Sequence, residues 1–192
     1  MEDREDRRVV LTKKLLKDAL ISLMKGKPLH SISIKKLCET ADVNRSTFYN
    51  HYETQFDLYD DILTDVSSDI GDIMRSVREK NGTAVDTLTD VFRYAEANRD
   101  LFLVILGTNS NLNLGEGFTK IVARFLEGEN TSEMFNYCTQ FIAAGVTNIL
   151  WIWLNEENRR SARDIALVIH ALMWHGFKKA SLLAGGSPVP RV

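Results

Sequence analysis

The sequence predicts an all-α chain: an N-terminal three-helix DNA-binding domain with a helix-turn-helix, joined by a long helix to an all-helical C-terminal ligand-binding and dimerisation domain. Three observations predict it. Apolar residues recur at helical spacing along most of the chain and nowhere alternate for the length of a strand. Only three Pro occur in 192 residues, and two of them, Pro188 and Pro190, lie in the tail. The stretch from Ser33 to Tyr52 reads as two short helices joined by a tight turn, with a polar outer face.

The elements follow in order. A first helix is expected over residues 6–25, burying Leu16, Ala19, Leu20 and Leu23, and Gly26-Lys27-Pro28 breaks it. Ser33 is an N-cap, because its hydroxyl can accept an orphan backbone N–H of the next helix. Ile34, Leu37, Cys38 and Ala41 make that helix's apolar stripe. The helix is expected to stop at Asp42, which must take a left-handed conformation; Asp tolerates it better than most residues. Val43 then plugs the space between helices, Asn44 is the next N-cap, and a second helix runs over residues 45–52 with Phe48 and Tyr52 inward. Thr54 caps a long helix carrying Tyr59, Ile62, Leu63, Val66, Ile70, Ile73, Met74 and Val77 at helical spacing, ended by Asn81-Gly82. Further helices are expected near residues 83–97, 99–106, 116–126, 132–154 and 162–183, the last opened by a Ser161/Asp164 capping box. A polar loop fills 107–115. The division is residues 1–53 for the helix-turn-helix domain and 54–192 for the helical effector-binding and dimerisation domain.

Charge separates the same two parts. From Arg4 to Tyr52 there are eleven Lys and Arg against five acids, while the whole chain has a formal charge of -2. A basic head on an acidic body suits a head that neutralises phosphates. On the second short helix, Arg45 and Asn50 are the types that pair bidentately with guanine and adenine edges, and Ser46 pairs with either. Thr47, Tyr49 and His51 can donate to phosphate oxygens, and Ser33, Lys35 and Lys36 stand at the start of the preceding helix for the same task.

The segment from Ile34 to Tyr52, with Leu58 shortly after, resembles the DNA-binding domain of TetR-family transcriptional regulators. Ala41, Val43, Thr47, Tyr49, His51 and Tyr52 fall where that family places its corresponding types, and the resemblance covers about residues 8–65. Two positions depart from it: the usual turn Gly is Asp42, and the Lys that commonly opens the fourth helix is Gln55. The resemblance implies a homodimer on a palindromic operator in double-stranded DNA and a small-molecule effector site in the body. It also implies repression as the usual output. The alternative is a co-regulator of the same fold acting through a protein partner.

The last two helices are apolar on more than one face, which points to a second copy of the chain making a four-helix interface. Ile142, Val146, Ile149, Trp153, Ile169, Met173 and Phe177 are the expected interface residues. Phe92, Phe102, Phe118, Phe125, Trp151, His170 and Trp174 are candidates to line an effector pocket, although aromatics at helical spacing more often build core.

Enzyme chemistry finds no support. The four His do not pair at zinc-binding spacing, and no phosphate loop, nucleophile elbow or Cys-x-x-Cys occurs. Cys38 and Cys138 make neither a metal set nor a disulfide framework. The cluster Asp57, Asp60, Asp61 and Asp65 reads as a solvated helix face. No catalytic residue, metal or cofactor is expected. The charged N-terminus lacks a signal-peptide core, and the apolar stretch 141–154 is too short to span a membrane. A cytoplasmic location follows as the expectation.

Overall fold

The computed structural model describes residues 2–107 and 133–183, with side chains described for residues 7–107, 137 and 139–173. Among the described residues the regular elements are all helical: α1 (Glu2–Met24), a 3₁₀ turn (Leu29–Ser31), α2 (Ile34–Ala41), α3 (Arg45–Tyr49), α4 (Gln55–Glu79), α5 (Ala84–Ala97), α6 (Arg99–Leu106), α7 (Glu133–Asn155) and α8 (Ala162–Leu183). The helix expected near 116–126, most of the loop 107–115 and the tail lie outside the described residues. The chain forms two compact units, which divide inside α4 between Val66 and Ser67.

In the first unit α1 packs on α2. Leu16, Ala19, Leu20 and Met24 of α1 are buried, as are Leu37, Cys38 and Ala41 of α2. Met24 takes the inward place expected of Leu23, which is half-buried. Each fully buried Leu here stabilises the unit by about 1.5–3 kcal/mol relative to exposure. The Ser33 hydroxyl accepts the Lys36 amide at 3.2 Å, so the expected cap of α2 forms.

Asp42 ends α2 at φ 53° and ψ 44°, and the amides of Asp42 and Val43 both donate to the Cys38 carbonyl. The turn therefore has the left-handed residue it needs, but with a Cβ that crowds the following carbonyl. Asp42→Gly is expected to raise the stability of this unit by about 1 kcal/mol, measured as a shifted midpoint in urea unfolding at unchanged slope.

Two local expectations need correction. α3 ends at Tyr49, not Tyr52, and Asn44 has cap backbone angles but its side chain makes no cap hydrogen bond. Instead the Asn44 carbonyl receives the Phe48 amide at 3.0 Å, and the chain past Tyr49 turns without continuing the helix. Thr54 opens α4 as expected. Its Oγ1 accepts the Asp57 amide at 3.3 Å, while the Asp57 carboxylate accepts the amides of Glu53 and Thr54 at 3.0 and 2.8 Å.

α4 closes on a Schellman arrangement. Asn81 sits at φ 55°, the Gly82 amide reaches the Val77 carbonyl at 2.8 Å, and the Asn81 amide reaches that of Arg78 at 3.0 Å. A Cβ at Gly82 would come within 2.5 Å of Val77 Cγ1. A side chain at this position would therefore force Val77 to move.

In the second unit α8 packs along α5, and α7 packs against both α6 and α8. Phe92, Phe102, Ile105, Leu150, Trp153, Leu154, Ala166 and Ile169 form its core. A capping box opens α5, where Thr83 Oγ1 accepts the Asp86 amide at 3.2 Å and the Asp86 carboxylate accepts the Thr83 amide at 2.9 Å. At the start of α8 Ser161 Oγ accepts the Asp164 amide at 3.1 Å and donates to the Asp164 carboxylate at 2.7 Å, so only the hydroxyl half of the expected box is seen there. Bonds from the Thr83 hydroxyl and amide, then from Arg163 at 3.1 Å, hold the Asp86 carboxyl down at about 2. The Leu154 carbonyl near the end of α7 accepts from Arg99 Nε at 2.8 Å and from Arg159 at 3.4 Å. Two cations thus meet at one orphan acceptor of that helix end.

Candidate nucleic-acid interface

α3 is too short to be stable alone, so its position depends on what its inner side touches. Phe48 is fully buried, its ring 5.5 Å from Tyr49 and 5.7 Å from Tyr52. With Phe48 inward, the opposite flank stays open. Arg45, Ser46 and Asn50 are exposed together on it, and Tyr49 keeps 57% of its surface in solvent. Thr47 and His51 are half-buried at its margins.

Lys35 and Lys36 are exposed on the first turn of α2. Lys35 stands 3.9 Å from Glu39, a weak exposed pair, whereas Lys36 and Arg45 have no ion-pair partner among the described residues. Lys35 and Arg45 also line one groove of about 310 Å³, with Asp42, Val43 and Asn44 between them. The structure therefore gathers the base-edge candidates with Tyr49 on one open flank and brings Lys35 to the same groove as Arg45. Such a surface carries positive charge, bidentate donors and hydroxyl donors on one short helix, the chemistry that meets base edges and phosphates.

Not all of the basic head faces outward. Lys17 of α1 lies 3.0 Å from Asp61 and 2.5 Å from Asp65, and Lys13 lies 3.4 Å from Asp61. Tyr52 donates its hydroxyl to the same Asp61 oxygen at 2.6 Å, and Lys13 Nζ stands 5.4 Å above its ring. The acids of α4 are thus more than a solvated face: Asp61 and Asp65 are paired, and Asp57 caps the helix. Among the described residues no group of acids, His or Cys could hold a metal ion. Burial, then the bond to Asp61, pushes the Tyr52 hydroxyl well above its ordinary range. Burial alone would raise Asp61, but the Tyr52 hydroxyl and Lys17 outweigh it and bring its carboxyl below the usual value. Burial likewise works against Lys17, and its bonds to Asp65 and Asp61 raise it nonetheless. Sequence reasoning missed this cluster, although Lys13/Lys17 and Asp61/Asp65 are both pairs at i, i+4, the pattern of two helices matched face to face.

The residues proposed for the body scatter. Phe92 and Phe102 are fully buried, Phe92 against Trp153 at 5.4 Å and Phe102 against Tyr94 at 5.6 Å. Trp151 is at the surface and His170 half-buried, while Phe118, Phe125 and the side chain of Trp174 lie outside the described residues. Phe92 and Phe102 lie in the core of the second unit. Of the interface candidates, Trp153 and Ile169 are buried within the protomer, so a partner cannot reach them. Ile142, Val146, Ile149 and Met173 are half-buried, and the side chain of Phe177 is outside the described residues. The apolar surface left open lies one step around each helix: Tyr137, Phe141 and Ile152 on α7, and Leu167, Val168 and Leu172 on α8.

A helix-turn-helix head on an all-helical body defines the class of DNA-binding transcriptional regulators, and comparison with known proteins agrees. A family model described as a transcriptional regulator C-terminal region matches residues 82–174. The HTH-type dhaKLM operon transcriptional activator DhaS of Lactococcus lactis subsp. lactis (strain IL1403) is 26% identical over 102 residues, 53% of this chain and 52% of that protein. An uncharacterized HTH-type transcriptional regulator, YxbF of Bacillus subtilis (strain 168), is 32% identical over 56 residues, 29% of this chain and 15% of that one. The matched stretches thus span about half or less of these curated relatives. A crystal structure of a TetR transcriptional regulator from Streptococcus agalactiae 2603V shares the fold at 20% identity and a TM-score of 0.66, covering 90% of this chain and 98% of that one. The chain thus resembles the TetR family of transcriptional regulators, in fold over most of its length and in sequence over residues 82–174. Members of that family bind DNA and act as dimers, and the relatives matched here are named as transcriptional regulators. Among the described residues no helix is long and apolar enough to cross a membrane.

Proposed function

We propose that this chain is a homodimeric, sequence-specific DNA-binding regulator that sets α3 of each copy into successive major grooves of a palindromic operator. In this reading it is a repressor, released when a small molecule enters the body and shifts α4. The head is residues 1–53, and residues 54–192 sense the effector and dimerise. The observation that carries the reading is the uncovered flank of α3, where Arg45, Ser46, Tyr49 and Asn50 are exposed while Phe48 is fully buried. Arg45, Ser46 and Asn50 read base edges; Ser33, Lys35, Lys36, Thr47, Tyr49 and His51 hold phosphates. The exposed apolar faces of α7 and α8 provide the dimer contact that pairs the two half-sites.

The test is a binding titration on a duplex that the wild-type protein selects from a randomised pool, repeated over a range of salt. A steep fall of log affinity with log salt supports direct phosphate contact, and a flat dependence overturns it. In the same assay Arg45→Ala is expected to cost about 1–3 kcal/mol and to relax selection at one base position. Wild-type affinity and selectivity in that variant would remove Arg45 from the reading surface.

One comparison favours a second reading. The relative DhaS is named as an activator, and activation requires a bound regulator to engage another protein. By that analogy this chain raises transcription and responds through a protein partner. A reporter fused to the selected site separates the two: loss of the protein raises expression under repression and lowers it under activation.

A further inference from the structure

The cluster on Asp61 joins α1, the turn after α3 and α4 at one carboxylate. Tyr52 comes from the turn after α3 and donates at 2.6 Å; Lys17 comes from α1 and stands at 3.0 Å. Asp61 itself is on α4, two turns from its start, beside Asp65, which also receives Lys17. α3 has five residues and one fully buried side chain, Phe48. A single anchor fixes where so short a helix sits, but leaves it free to tilt about that point. Tyr52, 6% exposed and four residues beyond Phe48, supplies a second anchor, and among the described residues its hydroxyl bonds to Asp61 alone.

From this geometry we infer that Asp61 is a positioning residue for DNA recognition: through Tyr52, and braced by Lys17, it sets the tilt of α3 against α4. The inference rests on the reading of α3 as the DNA-contacting helix. Asp61 is half-buried and already receives Tyr52 and both Lys13 and Lys17. It acts on DNA only through the angle at which Arg45 and Asn50 are presented. Asp61 lies on α4, which runs without a break from Gln55 to Glu79, so its carboxylate is held on a long helix and not on a loop.

Three variants test this: Asp61→Asn, Tyr52→Phe and the two combined. Two measurements are made on each, affinity for the wild-type-selected duplex and amide hydrogen exchange over residues 45–49 in the free protein. Each single variant is expected to lose about tenfold in affinity, the scale of one hydrogen bond to a charged group. The salt slope should stay at the wild-type value, since no phosphate contact is removed. The double variant should be no weaker than either single one, because both break the same link. Exchange should quicken over residues 45–49 and stay unchanged in α2. Additive losses, or exchange that rises equally in α1, α2 and α3, would mean general loosening of the head and would overturn the inference. If wild type binds no duplex, the DNA reading fails by itself, and local quickening confined to α3 still decides whether Asp61 positions that helix. Lys17→Met, which removes only the brace, is expected to give the same pattern at smaller amplitude; no effect from it on either readout counts against the role given to α1.

Discussion

Trp153→Ala is expected to destabilise the protein by about 3–5 kcal/mol, the usual cost of removing a large buried aromatic. The residue is 2% exposed and packs against Phe92 at 5.4 Å. Its Nε1 donates to the Arg160 carbonyl at 2.8 Å, and the Arg159 guanidinium lies 5.8 Å over the ring. Arg159 in turn reaches Glu96 of α5 at 3.4 Å and the carbonyls near the end of α7. Truncation would therefore open a cavity and loosen the arginine that closes the helix end. Thermal unfolding should report a fall of roughly 10 °C or more. Trp153→Phe separates packing from the hydrogen bond: it keeps most of the ring contact, and the exposed Arg160 segment can rehydrate its carbonyl, so about 1 kcal/mol is expected. Dimer dissociation with the protomer's unfolding unchanged would be the wrong outcome, because it would put Trp153 between copies instead of inside one.

That contrast shows how far the sequence could be read. Helix positions were legible because caps and breakers are local: Ser33, Thr54, Thr83 and Ser161 open helices through bonds three residues long, and Asn81-Gly82 closes one. The left-handed Asp42 followed from the sharp turn alone. The open flank of α3 was legible too, since a five-residue helix with Phe48 inward has few other ways to face. Faces of the long helices were less so. α7 and α8 are apolar nearly all round, and periodicity cannot say which apolar side the protomer keeps and which it leaves open. Trp153 and Phe141 look alike in sequence; only packing against Phe92 separates them. The Lys17–Asp61 and Tyr52–Asp61 contacts were hidden for another reason. They join residues on different helices, and charge counting treated Lys13 and Lys17 as part of a DNA-facing surface. Asn44 marks a limit of cap rules: its type and backbone angles suit a cap, but its side chain makes no cap bond.

Phe141→Asp combined with Leu172→Asp is expected to dissociate the proposed dimer while leaving the protomer folded. Phe141 is 82% exposed and Leu172 64% exposed in the single chain, so neither substitution opens a cavity, and each should alter protomer stability by no more than about 0.5 kcal/mol. In an assembly that covers these faces the same changes bury four unpaired carboxylates across the two copies, and truncation of a central apolar anchor alone costs about 2 kcal/mol or more. The dissociation constant should rise by about a thousandfold or more, read by sedimentation velocity over a concentration series. Operator affinity should fall with it, because two heads held together bind a palindrome far better than two free ones. Retained far-UV helicity and an unchanged unfolding slope would verify that the loss is of association and not of fold. A variant that stays dimeric would move the interface off the open faces of α7 and α8, and with it the arrangement by which paired heads read two half-sites.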